Sequence, residues 1–237
     1  MILLRSLFFL AVFYLMSALT CLIMIPLLPM PRRVLARALR IWGGAVTWLL
    51  RTICGVRVEV RGLEHRPTGP ALIAAKHQGM FDIFGQLPVL PDACFILKKE
   101  LMLIPFFGWY AARDRMIVVD RSGHSTALKK LVRDARNRMT EDRQLVIFPE
   151  GTRSDPGEPT EYKPGVAALY RELELPCSLL ALNTGVHWPR KGFKIHPGTI
   201  VFEYLPPIPA GLKRGEFMRE MQTRIDAASN ALVAESV

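Results

Sequence analysis

At 237 residues the chain has room for one principal domain plus an appendage. Half of its residues are hydrophobic and its mean hydropathy is +0.21, which excludes a disordered chain and is high for a purely soluble one. Its formal net charge of +10 asks for an anionic partner: nucleic acid, an anionic bilayer or a phosphorylated substrate.

In chain order, the first feature is apolar. No charged residue occurs from 6 to 31, and most positions there are Leu, Phe, Ile, Met or Val. Twenty-odd helical residues at about 1.5 Å each can cross a hydrocarbon core of about 30 Å, so the segment reads as membrane-embedded, either spanning or re-entrant. A cleavable signal peptide has an apolar region of only about 7–15 residues and a small-residue cleavage site, which this run lacks. Pro26, Pro29 and Pro31 end the helix. Arg32, Arg33, Arg37 and Arg40 follow, against Arg5 and the amino terminus before it, so the positive-inside rule places the following chain in the cytoplasm. Residues 33–53 carry arginines and apolar side chains at three- and four-residue steps. Beside a membrane segment this pattern reads as an interfacial helix over anionic lipid; packing on the following domain is the alternative.

Gly55 and Gly62 bracket an alternating strand over 56–61. The apolar run 70–75 reads as a buried strand that delivers Lys76-His77-Gln78-Gly79-Met80-Phe81-Asp82. On an unbroken helix residues 77 and 82 would lie about 140° apart and would not easily meet. With His77 in the turn before a helix and Asp82 in its first turn, the imidazole can fold back onto the carboxylate, which the positive helix end favours. An Asp on one ring nitrogen fixes the tautomer and stabilises the imidazolium. Such a dyad is a general base for a hydroxyl, contributing roughly 10²–10⁴-fold in rate. The plain alternative is a helix-capping His77 with an ordinary first-turn acid.

A short helix from about 81 is limited by Pro88 and Pro91, and a strand over 93–97 ends in Lys98-Lys99-Glu100. Residues 104–110 are compact and aromatic. A strand over 116–119 ends at Asp120-Arg121, and 125–139 is an amphipathic helix. A strand over 145–148 runs into Pro149-Glu150-Gly151-Thr152-Arg153-Ser154, again turn chemistry at a strand end. A surface loop over 155–162 precedes a helix over 165–173, a strand over 177–182 and another over 199–204. The proline-rich 205–209 is expected to end sheet pairing, and a polar helix from about 215 closes the chain. Alternating strands and helices imply an α/β fold: a mixed, mostly parallel sheet flanked by helices, preceded by the membrane-embedded helix and the interfacial amphipathic helix. The four cysteines, at 21, 54, 94 and 177, lack metal-ligand spacing and read as buried free thiols.

Together, the His-x4-Asp block at 77–82 and the Phe-Pro-Glu-Gly-Thr-Arg-Ser block at 148–154, in this order and about seventy residues apart, resemble the glycerolipid acyltransferase family. The resemblance covers about residues 56–210. It implies that His77 deprotonates an acceptor hydroxyl and that Asp82 orients it. Glu150, Gly151, Thr152 and Arg153 would bind the glycerol-phosphate part of the acceptor, Arg121 would be the other acceptor contact, and Lys98 would assist. The implied reaction moves a fatty acyl group from a thioester, acyl-CoA or acyl carrier protein, to the sn-2 hydroxyl of lysophosphatidic acid, giving phosphatidic acid. The thioester is a co-substrate and no cofactor is implied; one His and one Asp are too few for a dedicated metal site. Residues 104–110 then have an acyl groove as an alternative to core packing.

The expected partners are an anionic phospholipid membrane, lysophosphatidic acid and the thioester donor, with no nucleic acid. Residues 1–54 would be membrane-anchoring helices and 55–237 the catalytic domain, on the cytoplasmic face of the inner membrane. Three positions depart from the family pattern: Arg115 stands at a usual glycine, Leu179 replaces the second proline after Pro176, and Gly79 occupies a common serine position. They leave another lysophospholipid or a lyso-aminolipid as the alternative acceptor.

Two other readings use the same residues. Gly123-His124-Ser125-Thr126-Ala127 follows a strand and opens a helix, the context of a serine-hydrolase elbow, although Ser125 as a simple helix cap explains it too. A non-enzymatic basic module is the other. Its arginines cluster beside an apolar anchor rather than on an aromatic platform, which argues against nucleic acid.

Overall fold

The computed structural model describes residues 1–120 and 124–236, without the side chains of residues 124 and 125. The chain begins with α1 (Ile2–Ile23), turns through Pro26, and enters α2 (Arg32–Leu49), whose last turn loosens into a π-helical segment, Leu50–Cys54. Gly55, at φ 72°, closes that helix in a left-handed conformation open to glycine at little cost. Then follow β1 (Val56–Arg61), β2 (Ala71–Ala75), α3 (Phe81–Phe84), β3 (Ala93–Lys98), α4 (Phe107–Arg113), β4 (Ile117–Val119), α5 (His124–Met139) and β5 (Gln144–Ile147). The chain ends with α6 (Gly165–Leu173), β6 (Cys177–Leu182), α7 (Thr184–His187), β7 (Gly198–Ile208) and α8 (Arg214–Glu235).

The strands form one seven-stranded sheet in the order β1-β7-β6-β2-β5-β3-β4. From β6 to β4 every neighbouring pair is parallel; β7 runs antiparallel to β6, and β1 runs parallel to β7. A sheet covered on both faces needs strands that are apolar throughout, and β2, β5 and β6 are buried at every residue. Alternate residues of β2 feed two cores. Ile73 and Ala75 join Phe9, Phe13, Val46, Phe81, Trp188 and Phe202 on one side, while Leu72 and Ala74 join Leu131, Val166, Phe217 and Ile225 on the other.

The proline-rich segment corrects one expectation. Pairing in β7 does not stop at residue 204 but continues to Ile208, which faces Cys177. A register irregularity between Cys177 and Leu179 accommodates the exposed Pro206 and Pro207, whose missing N–H groups a regular ladder would need. The loop expected over 155–162 also turns inward at its end, where Tyr162 is buried. The cysteines are all free; Cys54, Cys94 and Cys177 are buried and Cys21 is half-buried.

Of the described helices, α1 is long and apolar enough to cross a membrane by length and composition. It is also docked. Phe9 and Phe13 are buried against Trp188 in edge-on contacts at 5.3 and 5.6 Å, while Leu4, Phe8, Leu15 and Ile23 face outward. Helix α2 has two aspects as well. Leu35, Val46 and Leu49 are buried, and Gly43 passes so close to α3 that a Cβ there would sit 2.8 Å from the Phe84 carbonyl oxygen. Ile41 and Trp48 remain exposed.

Arg32 is committed to the domain, clamping Asp92 through two nitrogens at 2.8 and 2.5 Å and reaching Asp114 at 3.3 Å. From the other side the fully buried Arg143 reaches Asp92 at 3.2 Å and Asp114 at 3.1 Å, and donates to the carbonyls of Asp114, Arg115 and Ala93. Burial pushes the Asp114 carboxyl up to about 6, against the pull of both arginines. Removing one partner of such a cluster strands a buried charge, at a cost of about 3–5 kcal/mol. Arg143→Met should therefore lower the melting midpoint in detergent by roughly 10 °C at pH 7.5. The drop should be smaller at pH 5. Without the pull of Arg143 the buried Asp114 carboxyl is raised further still, and a raised carboxyl loses stability as pH rises toward its folded-state value, so the variant's extra loss accrues mainly above pH 5.

Candidate active site

Three neighbouring parallel strands, β5, β2 and β6, end at the same sheet edge, where α/β sheets collect ligands. β2 delivers Lys76 and His77, β5 delivers Phe148 to Glu150, and β6 delivers Asn183 and Thr184. His77 lies in the turn before α3 and Asp82 is that helix's second residue. The imidazole Nδ1 is 2.7 Å from Asp82 Oδ2, and the Asp82 side chain is fully buried.

A buried carboxylate needs hydrogen-bond donors in place of water, and Asp82 has them. The backbone N–H groups of Gln78 and Gly79 reach Oδ2 at 2.6 and 2.9 Å, and the Thr184 hydroxyl donates to Oδ1. Gln86 Nε2 holds the Asp82 carbonyl at 2.6 Å. With an acceptor on Nδ1, the proton belongs on that nitrogen and Nε2 is left as a base. The ring stacks on Phe148 at 4.1 Å between centroids, and Phe148 in turn stacks on Phe95 at 6.4 Å. About 15% of the His77 side chain remains exposed, enough for a small group to reach it.

The backbone of His77 is clamped on both sides. Its N–H donates to Glu150 Oε1 at 2.7 Å, and its carbonyl accepts from the Ser154 N–H at 2.9 Å and the Ser154 hydroxyl at 3.3 Å. Glu150 is buried, and its other oxygen accepts the Thr160 hydroxyl at 2.9 Å and lies 3.5 Å from Lys76 Nζ. Expected at the acceptor, this carboxylate instead holds the His77 turn.

Gly151, at φ 69°, makes the tight turn that carries the chain outward. Thr152 is exposed, and Arg153 is half-buried with no hydrogen-bond or ion-pair partner for its guanidinium among the described residues. The Arg153 carbonyl is fixed by Arg190, which also grips Asp155 through two bonds of 2.8 and 2.7 Å and holds that carboxyl below the usual range. Lys98 is exposed at the end of β3 and likewise has no partner among the described residues. Arg121 and the side chain of Ser125 lie outside the described residues.

Thr184, Ser154, Lys76 and Arg190 were not anticipated as part of the site. Thr184 had a readable signal: the apolar run of β6 ends in Asn183-Thr184-Gly185, the same strand-to-polar-turn pattern as the other two strand ends. Gly79 is explained by contact. A Cβ there would lie 2.9 Å from the Trp188 carbonyl oxygen, too close for any other residue without movement.

The family model described as Acyltransferase matches residues 57–197. The 1-acyl-sn-glycerol-3-phosphate acyltransferase of Pseudomonas aeruginosa is 34% identical over 194 residues, an overlap covering 82% of this chain and 76% of the relative. The enzyme of that name from Limnanthes alba is 33% identical, over 79% of this chain and 66% of its own. For the alpha form from Mus musculus the identity is 31%, over 65% of this chain and 55% of its own, so the chain spans only about half of that relative. The crystal structure of the 1-acyl-sn-glycerophosphate (LPA) acyltransferase PlsC from Thermotoga maritima superposes with a TM-score of 0.81 over 98% of each chain. At 20% identity that likeness speaks for the fold.

The Thr184 hydroxyl is the testable part of the dyad's support. Thr184→Val keeps the volume and removes one hydrogen bond to a buried carboxylate, worth about 1.5 kcal/mol. The variant should lose about tenfold in kcat with KM little changed, and Thr184→Ser should recover most of it.

Proposed function

This chain belongs to the acyltransferase family, and we propose that it transfers a fatty acyl group from an acyl thioester to the sn-2 hydroxyl of lysophosphatidic acid, giving phosphatidic acid. The 2.7 Å contact between His77 Nδ1 and the buried, fully hydrogen-bonded Asp82 carries the reading. His77 Nε2 takes the hydroxyl proton as the oxygen attacks the thioester carbonyl. The tetrahedral oxyanion then collapses, breaking the C–S bond, and the departing thiolate regains the proton from the imidazolium. Asp82 stabilises that imidazolium without itself being protonated. No side-chain nucleophile takes part, so transfer is direct. The flat face of Phe148 under the ring thins the water around the dyad, which strengthens the charge interaction between the two groups.

Substrate charge falls to cations at the strand ends. Arg153 has the planar fork that suits a phosphate and no competing carboxylate among the described residues; Arg121 and Lys98 complete the proposed acceptor set, with Gly151 and Thr152 shaping the loop. The donor is acyl-CoA or acyl carrier protein. Both the acceptor and the product are lipids, and the outward side chains of α1, with Ile41 and Trp48 of α2, offer an apolar surface to a bilayer. The arginines around that surface suit anionic headgroups, and seat the enzyme on the cytoplasmic face of the inner membrane.

His77→Ala should lower turnover by roughly 10²–10⁴-fold in a thiol-release assay with mixed micelles. Wild-type activity should fall as the pH is lowered from 8 to 5 and the imidazole is protonated; a flat profile would rule out His77 as the base. Arg153→Ala should lower kcat/KM for lysophosphatidic acid by roughly 10- to 100-fold, while a phosphate-free monoacylglycerol should lose less than about threefold. Equal losses on both acceptors would mean that Arg153 is structural.

A further inference from the structure

Beside the dyad lies a second buried charge cluster that the proposed reaction leaves idle. Lys76, next to His77 in the chain, is only 4% exposed, an unusual place for an ammonium. Its Nζ is 2.9 Å from Asp226 Oδ1 on α8, 3.5 Å from Glu150 Oε2 and 5.7 Å from the centre of the Tyr162 ring. The Tyr162 hydroxyl donates to the same Asp226 oxygen at 2.9 Å. One helical turn earlier, Gln222 donates to the Thr160 carbonyl at 3.1 Å, and the Thr160 hydroxyl donates to Glu150. Every branch of this network ends on Glu150, whose remaining oxygen accepts the His77 N–H.

We infer that Lys76 is a positioning residue for acyl transfer: its ammonium, held by Asp226 of α8, anchors the buried Glu150 carboxylate, and that carboxylate fixes the turn that aims His77. The inference rests on the reading of His77 as the base.

Removing one partner of a buried ion pair leaves the other without its counter-ion. Glu150 then holds the His77 N–H and the Thr160 hydroxyl less firmly, and the turn loosens. A misplacement of about 1 Å at a reacting group is enough to cost about 10²-fold. The groups facing Glu150 are Lys76 and His77 from the end of β2, Tyr162 from its own loop and Asp226 from α8. Tyr162 stays neutral, its hydroxyl raised far beyond the usual range by burial and by the Asp226 and Glu150 charges. Asp226 adds negative charge. Among the described residues, Lys76 is therefore the one Lys or Arg whose cation lies within ion-pair distance of the Glu150 carboxylate.

The test is kcat and KM from pH 5 to 9 for the full-length enzyme in detergent, as wild type, Lys76→Met and Lys76→Arg. Lys76→Met should cut kcat about 10- to 100-fold at pH 7 with less than a threefold change in KM for lysophosphatidic acid. Lys76→Arg should restore most of the rate. If Lys76→Met does not fold, Lys76→Gln reads the same split without the charge. An unchanged kcat, a loss carried mainly by KM, or a loss that Lys76→Arg does not recover overturns the inference. A flat profile in the wild type is a different failure: it removes the base reading and this inference falls with it.

Discussion

The site depends on a carboxylate shut away from water and held by hydrogen-bond donors of the protein alone. Asp82 has no access to water, so its hold on the His77 ring is only as good as the donors that surround it. Two of those donors are backbone amides of the same turn, and one is the hydroxyl of Thr184, which follows β6, the sheet neighbour of β2 but four strands later in the chain. The amides come with the turn's own shape. The hydroxyl requires β6 to be paired beside β2, so the state of the base depends on the sheet being complete. A five-residue spacing is a local motif, but its electrostatics is tertiary.

The same logic repeats one layer back. Glu150 contributes no contact to the dyad itself and acts on the chain that carries it, through the His77 N–H. Ser154 does the reverse job at the carbonyl, so the two ends of one motif close around one residue of the other. This makes the two sequence blocks a single mechanical object. Their order and separation in the chain follow from β2 and β5 being adjacent and parallel, with β3 and β4 looping out between them.

Much of this was legible in the sequence because strand ends announce themselves. The apolar runs at 70–75, 145–148 and 177–182 each stop at a polar turn, and the fold class and the strand-end location followed from that pattern, while the roles of His77 and Asp82 came from the family resemblance of the two blocks. Boundaries at prolines were misjudged. Pro206 and Pro207 sit in a register irregularity of β7, and no local rule shows whether a partner strand can absorb them. The direction faced by a charged residue was the least readable. Arg32 read as a membrane-flanking arginine, Glu150 as a substrate contact and Lys76 drew no reading at all, and each is buried or nearly so in ion pairs with residues 60 to 150 positions away. Such partners become neighbours only through the topology of the sheet.

Trp188 gives the fold a less obvious property. One side of its ring meets Phe9 and Phe13 of the first helix, and its carbonyl crowds Gly79 in the catalytic turn. The apolar first helix is thus part of the wall that shapes the catalytic turn. Cutting it away would open the protein's interior at the point where His77 is aimed. Whatever surface the outward face of that helix meets, its inward face shares its packing with the chemistry.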